Sequence, residues 1–229
     1  MDNHIGAVTR VEYAPSIRFY LEDQKRPETR WKTTLPFPVH VVARVEVIDQ
    51  FSKGKLTTEY RYHHGYWDGA ERKFRGFGRV EQFGTESFET YDSVGLHGAD
   101  VLFAKIDRQY FSQPTLTKTW FHQGPVGDEF GDWQELDWSD EYWSGDPNML
   151  RHTELVNQFL THWPSTPDGR RVKRDALRSL RGSILRTELY ALDGSDREDR
   201  PYTVTESRYG LKEIDEPVAG DTERLSTCA

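Results

Sequence analysis

The stretch TTEYRYHHGYWDGAERKFRGFGRVEQF, residues 57–83, decides how the chain is read. Leu56, Thr58, Tyr60 and Tyr62 alternate with Thr57, Glu59 and Arg61, the period-2 pattern of a strand with unlike faces. Asp68-Gly69 follows, and such a pair between two strand-like runs signals a hairpin because glycine tolerates the positive φ of a tight turn. The return run, 73–83, carries Gly76 and Gly78 among Phe74 and Phe77. Glycines inside a strand mark a bulge or the close approach of another group. The spacing therefore predicts a bent strand whose rings press on a neighbouring sheet.

Outward from this hairpin the pattern stays that of short strands. Residues 39–48 read as a strand with Val39, Val41, Ala43, Val45 and Val47 on one face. Leu35-Pro36-Phe37-Pro38 sets an extended entry to it, since proline cannot lie in a central strand. Residues 6–13 and 16–21 read as two strands broken by Pro15, followed by a charged loop over 22–32. Downstream, 101–106 and 115–122 are strand candidates, and 183–191 with 202–209 form a second hairpin around Asp193-Gly194. Leu155, Val156, Phe159 and Leu160 fit one helical face within 150–163, which Pro164 stops. Val172, Ala176, Leu177 and Leu180 fit another within 171–181, capped by Gly182. The tail from 215 is polar and expected to fray. The fold class is mostly β: antiparallel hairpins forming an extended curved sheet, with one or two short helices around 150–181.

Composition narrows the function classes. Of 229 residues 35% are hydrophobic and 30% charged, so the core leans on seven Trp, eleven Tyr and twelve Phe, which bury large areas each. A formal net charge of -8 argues against a nucleic-acid partner, whose binders carry a basic face. No apolar run approaches the roughly 20 residues of a membrane helix, and the polar start (Met1, Asp2, Asn3, His4) shows no signal peptide. A lone Cys228 excludes an internal disulfide framework and a cysteine-based zinc site.

No constellation reads as catalytic. His63 and His64 are neighbours on a strand and so point to opposite faces, which suits structural histidines better than metal ligands. The acidic-aromatic stretch 128–146 reads as an ordered loop anchored by its tryptophans; alternatively, Trp133, Trp138, Tyr142 and Trp143 form a sugar-binding platform, or two of its carboxylates serve glycoside hydrolysis. Arg170, Arg171, Lys173, Arg174, Arg178 and Arg181 form the polar side of the predicted helix, attracted to that acidic loop. Gly76-Phe77-Gly78 has no helix after it and is no phosphate loop. The reading is of a chain that is not an enzyme, with no catalytic or metal residues and no cofactor. Its structural residues are Tyr62, Gly65, Tyr66, Asp68, Gly69, Phe74, Gly76, Phe77, Gly78 and Trp120.

Several blocks carry a resemblance. They are Tyr13-Ala14-Pro15-Ser16 with Arg18-Phe19-Tyr20-Leu21, residues 35–42 (LPFPVHVV), 62–69 (YHHGYWDG), 74–81 (FRGFGRVE), 116–122 (LTKTWFH), Leu180-Arg181-Gly182 to Asp193-Gly194, and 201–206 (PYTVTE). In this order they resemble the middle region of B components of insecticidal toxin complexes, TcB- or TcaC-type proteins related to SpvB-like virulence proteins. The resemblance implies a segment of a longer protein. Residues 1–50 correspond to the end of the middle/N-terminal region and 51–214 to the middle/C-terminal region, with 215–229 a tail. It also implies wall-building in a Rhs/YD-repeat shell that encloses the toxic part of a C component. The implied partners are flanking segments of the same component, a C-type component and, indirectly, an A-type pore component, without nucleic acid or membrane insertion by this segment. The implied location is extracellular, within a toxin complex, after a stage in the bacterial cytoplasm. Tyr91-Asp92-Ser93-Val94-Gly95 is similar to one YD unit, and the Glu-x-Glu pair of SpvB-like ADP-ribosyltransferases is missing.

Overall fold

A computed structural model describes residues 1–52, 54–84, 107–127, 133–150, 167–212 and 227–228. Seven strands form one antiparallel sheet in which each strand pairs with its neighbours in sequence. They are β1 (Ala7–Pro15), β2 (His40–Asp49), β3 (Lys55–Asp68), β4 (Lys73–Phe83), β5 (Thr115–Phe121), β6 (Ile184–Ala191) and β7 (Thr203–Glu206). Among the described residues two helices accompany the sheet, α1 (Ile17–Asp23) and α2 (Pro167–Ser179), and a two-stranded ribbon pairs β8 (Leu211–Lys212) with β9 (Thr227–Cys228). The fold is mostly β and antiparallel, and the hairpin turning at Asp68-Gly69 lies at its centre. The expected strand at 101–106, the helix at 150–163 and the Tyr91-Asp92 unit lie outside the described residues.

Three pairings slip by one residue. Glu12 faces Arg44 while Tyr13 faces Val42, Tyr66 faces Gly76 while Trp67 faces Phe74, and Trp120 faces Arg186 while Phe121 faces Ile184. The extra residues are Ala43 on β2, Arg75 on β4 and Leu185 on β6, and all three are buried. Antiparallel order places all three bulges toward the same end of the sheet, where β1, β3 and β5 finish. A bulge bends its strand and raises the local twist, so the sheet is bent at this end on three alternate strands. Gly76 sits at φ +97°, which explains the glycine that follows Arg75.

Residues 16–21 are not a strand: Ile17, Phe19 and Leu21 alternate, but Phe19 and Asp23, four apart, are the buried side chains of helix α1. Ile17 and Leu21 are exposed. The bulge at Ala43 also breaks the single valine face expected of β2: Val41 and Ala43 are buried, Val47 is exposed and Ile48 is buried instead. Residues 40–42 pair with β1 only, because β2 meets β3 from Arg44 onward. Phe19 and Trp31 pack there with Val41, Ala43, Tyr62 and Phe77, so Phe77 presses on this cluster and not on a second sheet. The tail is not wholly frayed, since Thr227–Cys228 pairs with Leu211–Lys212.

Candidate functional site: a strap over the charged face

Residues directly opposite in neighbouring strands share a face, so the register sorts the side chains. One face carries the row Arg61, Glu81, Lys118, Glu188 and the row His63, Arg79, Trp120, Arg186, Glu206. The other carries Tyr60, Gln82, Thr117, Leu189, Thr203 and Tyr62, Val80, Thr119, Thr187, Thr205. Toward β1 the division continues, with Glu12, Arg44 and Glu59 on the first face and Val11, Val45 and Thr58 on the second. Charge is thus confined to one face in these rows. It is also the more buried face: Arg186, Glu188 and Glu46 are 0% exposed, whereas Leu56 and Val47 on the other are 53% and 39% exposed.

Residues 133–150 lie as a strap across the charged face. Glu141, in a single 3-10 turn at Ser139–Glu141, accepts from Arg79 Nη1 at 2.8 Å and from Trp120 Nε1 at 3.1 Å. Its other oxygen lies 2.9 Å from His64 Nε2. Burial by itself would raise the Glu141 carboxyl, but His64, Arg79 and Trp120 outweigh it and hold the group at about 2. Farther along, the Trp143 N–H donates to Glu188, Arg186 donates to Asp146 at 2.9 Å, and the Leu150 N–H donates to Glu206. Arg186 also donates to Glu188 at 2.7 Å and lies 3.0 Å from Glu206. Lys32 reaches over from the loop after α1 to the Asp137 carbonyl and the Asp140 carboxylate.

The histidines are structural in this geometry. His63 Nδ1 lies 2.7 Å from Asp23 at the end of α1, and its Nε2 lies 3.6 Å from Glu81. Burial lowers its pKa, yet the two carboxylates prevail and the imidazole is raised above its usual value. Glu81 in turn is held at about 2, burial being overcome by His63 and Arg79. His64 shows the opposite balance, burial prevailing over Glu141, so it stays neutral to lower pH. No group of three His, Cys, Asp or Glu placed to hold a metal occurs among the described residues.

The four candidate sugar-contacting residues do not form one open ring face. Trp138 is 1% exposed, with its ring against Gly78, where an added Cβ would fall 2.5 Å from Cζ2. Tyr142 is buried edge-on to Trp120, while Trp133 packs on Leu177 and Leu180 under Arg174. Trp143, with Arg200 over its ring, lines an open cleft of 530 Å³ together with Tyr142, Lys118, Tyr190, Glu198 and Asp199. Of the carboxylates weighed for glycoside hydrolysis, Asp128, Glu129 and Asp132 lie outside the described residues. Of the basic run, Arg174 lies over the ring of Trp133 in the acidic-aromatic stretch, Arg174 and Arg178 of α2 reach Glu71 in the β3–β4 turn, and Arg181 donates to the Phe74 and Arg75 carbonyls. Arg75 joins them, donating to Asp68 at 2.7 Å and to Glu71 at 2.5 Å.

Of the remaining structural residues, Gly65 faces Trp31, Leu35 and Phe77 with no room for a Cβ. The Tyr66 hydroxyl accepts from the Gly127 N–H, Gly69 lies in the open turn, and Phe74 packs edge-on to Phe77. Glu141 is one of the carboxylates of the acidic-aromatic stretch, whereas Arg186 and Glu188 stand outside every candidate site of the sequence. The signal for Arg186 and Glu188 is the alternation of charge with Leu185, Thr187 and Leu189 along β6.

Two family models match the chain: the insecticide toxin TcdB middle/N-terminal region over residues 1–96 and the TcdB middle/C-terminal region over 175–227. The first match thus extends beyond residue 50, through the central hairpin. No curated protein sequence matched. Among solved structures, the crystal structure of TcdB2–TccC3 is similar with a TM-score of 0.64 at 25% identity, over 99% of this chain and 10% of that one. The same complex without its hypervariable C-terminal region gives 0.64 at 26% identity, over 100% and 10%. The Photorhabdus luminescens Tc holotoxin pore gives 0.67 at 31% identity, over 93% of this chain and 9% of that one. The chain therefore spans about a tenth of the structures it matches. With both parts of one region matched in chain order and the fold similar to part of TcdB2–TccC3 and of the Tc holotoxin pore, the chain belongs to the middle region of TcB-type insecticidal toxin components.

Proposed function

We propose that this chain is a wall segment of a toxin-complex B component, performs no reaction itself, and helps enclose the toxic part of a C-type component. The observation that carries this reading is the separation of charge between the two faces of one continuous seven-stranded meander. A sheet that is its own domain buries its apolar face and leaves charges to water. Here the charged face is sealed by the strap and by its own ion pairs, and the uncharged face of Val, Thr, Tyr and Leu remains partly open. In the wall, that open face looks inward, onto polypeptide held by the C-type partner. Threonine suits such a lining, offering both a methyl group and a hydroxyl to a chain without fixed structure. The histidines and central carboxylates are spent on one another in buried contacts, which supports a scaffold and not a reaction centre. The segment acts outside the producing cell, joined to flanking parts of its own component and, through them, to an A-type pore component. No described helix is long and apolar enough to cross a membrane.

The test is to place charge on the open face of the B component produced with its C-type partner. Thr119→Asp with Thr187→Asp, two neighbours on that face, is expected to lower the amount of protease-protected C-terminal payload. A charge change at an exposed loop position, Asp196→Lys, is expected to have no effect. Equal protection in both variants would refute the inward assignment.

A further inference from the structure

His64 brings together features that the wall reading leaves unused. It is a non-glycine residue at φ +58° inside a long strand, and its side chain is 1% exposed. Such a backbone persists only where the surroundings hold it, and it directs attention to what the side chain does. Nδ1 accepts the Lys32 N–H at 3.0 Å, and Nε2 lies 2.9 Å from Glu141 of the strap. The ring also packs on Trp138 of the strap, 4.7 Å between centroids. We infer that His64 is a protonation-sensitive latch, whose neutral imidazole pins both the strap 133–150 and the loop at Lys32 to the sheet and whose protonation releases them.

The two contacts admit one tautomer. Nδ1 must offer a lone pair to the Lys32 N–H, so the ring proton sits on Nε2, the nitrogen 2.9 Å from Glu141. A second proton has only Nδ1 to occupy, where it meets the Lys32 N–H donor head-on. The Lys32 backbone must then withdraw, and with it the Lys32 ammonium that holds the Asp137 carbonyl and Asp140 of the strap and lies 5.0 Å over the Trp138 ring. The new charge would also face the Arg79 guanidinium on β4 and the His63 imidazole beside it on β3, against one attractive carboxylate, Glu141. Glu141 is already engaged by Arg79 and Trp120. Gln123, after β5, donates to the His64 carbonyl and adds no charge.

Burial depresses the His64 imidazole from its ordinary 6.5, and Glu141 offsets this only in part. A base with a depressed folded-state pKa contributes stability that is complete above its unfolded pKa and is lost as pH falls below it. The neighbouring His63, raised between Asp23 and Glu81, has the opposite sign: it stabilises the docking of α1 at low pH and loses this as pH rises through its folded pKa. Acid therefore loosens the strap while α1 stays docked. The two adjacent histidines report separately, and the inference stands whether or not the wall reading holds.

The test is hydrogen exchange on the chain from about pH 7.5 to about pH 5, corrected for intrinsic exchange rates, and repeated in His64→Gln, which is neutral throughout. Protection of 136–150 is expected to fall tenfold for each unit by which the imidazole lies below its free pKa. Protection of α1 is expected to hold, and the variant to give a flat profile over the strap. Constant protection in the unmodified chain, or the same fall in His64→Gln, would overturn the latch. Should the variant fail to fold, the His64 Hε1 resonance of the unmodified chain decides: its midpoint is expected to coincide with strap opening, and titration without opening overturns the inference.

Discussion

Replacing Glu141 by Gln removes one charge from the centre of the strap while leaving an oxygen that can still accept from Trp120 Nε1. The size of the effect follows from the carboxyl's pKa, which drops from 4.5 to about 2 on folding. At 1.36 kcal/mol per pKa unit this corresponds to about 3 kcal/mol at neutral pH, in the range of about 3–5 kcal/mol for breaking a buried ion pair. The side chain is only 9% exposed, so solvent screening does little to reduce it. A depressed carboxyl stabilises above its unfolded pKa and ceases to as pH falls through its folded value. Glu141→Gln is thus expected to lower the urea-unfolding free energy by about 3 kcal/mol near pH 7, with the gap closing between 4.5 and about 2. Urea titrations followed by tryptophan emission, repeated across this range, measure both. A loss below about 1 kcal/mol at neutral pH, as for an exposed pair, would refute the argument, as would a gap that persists unchanged in acid.

Gly78→Ala places a Cβ 2.5 and 2.6 Å from two Trp138 ring carbons. It is expected to displace that ring at a cost of about 1–3 kcal/mol, seen as loss of near-ultraviolet dichroism and a red shift in emission. Arg75→Met leaves Asp68 and Glu71 without the guanidinium that offsets their burial and holds both carboxyls low. It should cost about 3–5 kcal/mol near neutrality, with a smaller deficit as acid protonates the two carboxylates; an equal deficit at both pH values would count against the pairing. Gly76→Ala forces alanine to φ +97° and is expected to lower stability by about 1–3 kcal/mol, read as a shift in the urea midpoint.

The central hairpin was legible because its signals are local. Alternation over 56–62 and the Asp68-Gly69 turn needed no knowledge of what packs on them. Helix α1 was not legible for an equally local reason: Ile17, Phe19 and Leu21 mimic strand alternation, and the deciding fact is that Asp23 is buried against His63, 40 residues away. The valine run of β2 misled through the bulge at Ala43, which moves burial from Val47 to Ile48. At the candidate site, the alternation of charge along each strand was visible, but the side to be covered was not. That depends on Glu141 meeting Arg79 and on Asp146 meeting Arg186, contacts across 62 and 40 residues. Trp138 and Tyr142 were weighed as exposed rings for the same reason, since nothing near them in sequence announces Gly78 or Trp120 as the surfaces they cover.

The orientation of the sheet in the assembled toxin is the claim on which the proposed function rests, and cysteine accessibility measures it most directly. With Cys228 replaced, Thr119→Cys on the uncharged face and Asp196→Cys on the exposed β6–β7 loop are each labelled with a bulky maleimide. Labelling is compared between the chain alone and the B component joined to its C-type partner. The account predicts that Thr119→Cys reacts in the chain alone and is protected in the complex, while Asp196→Cys reacts in both. Labelling of Thr119→Cys at the same rate in both states would contradict it.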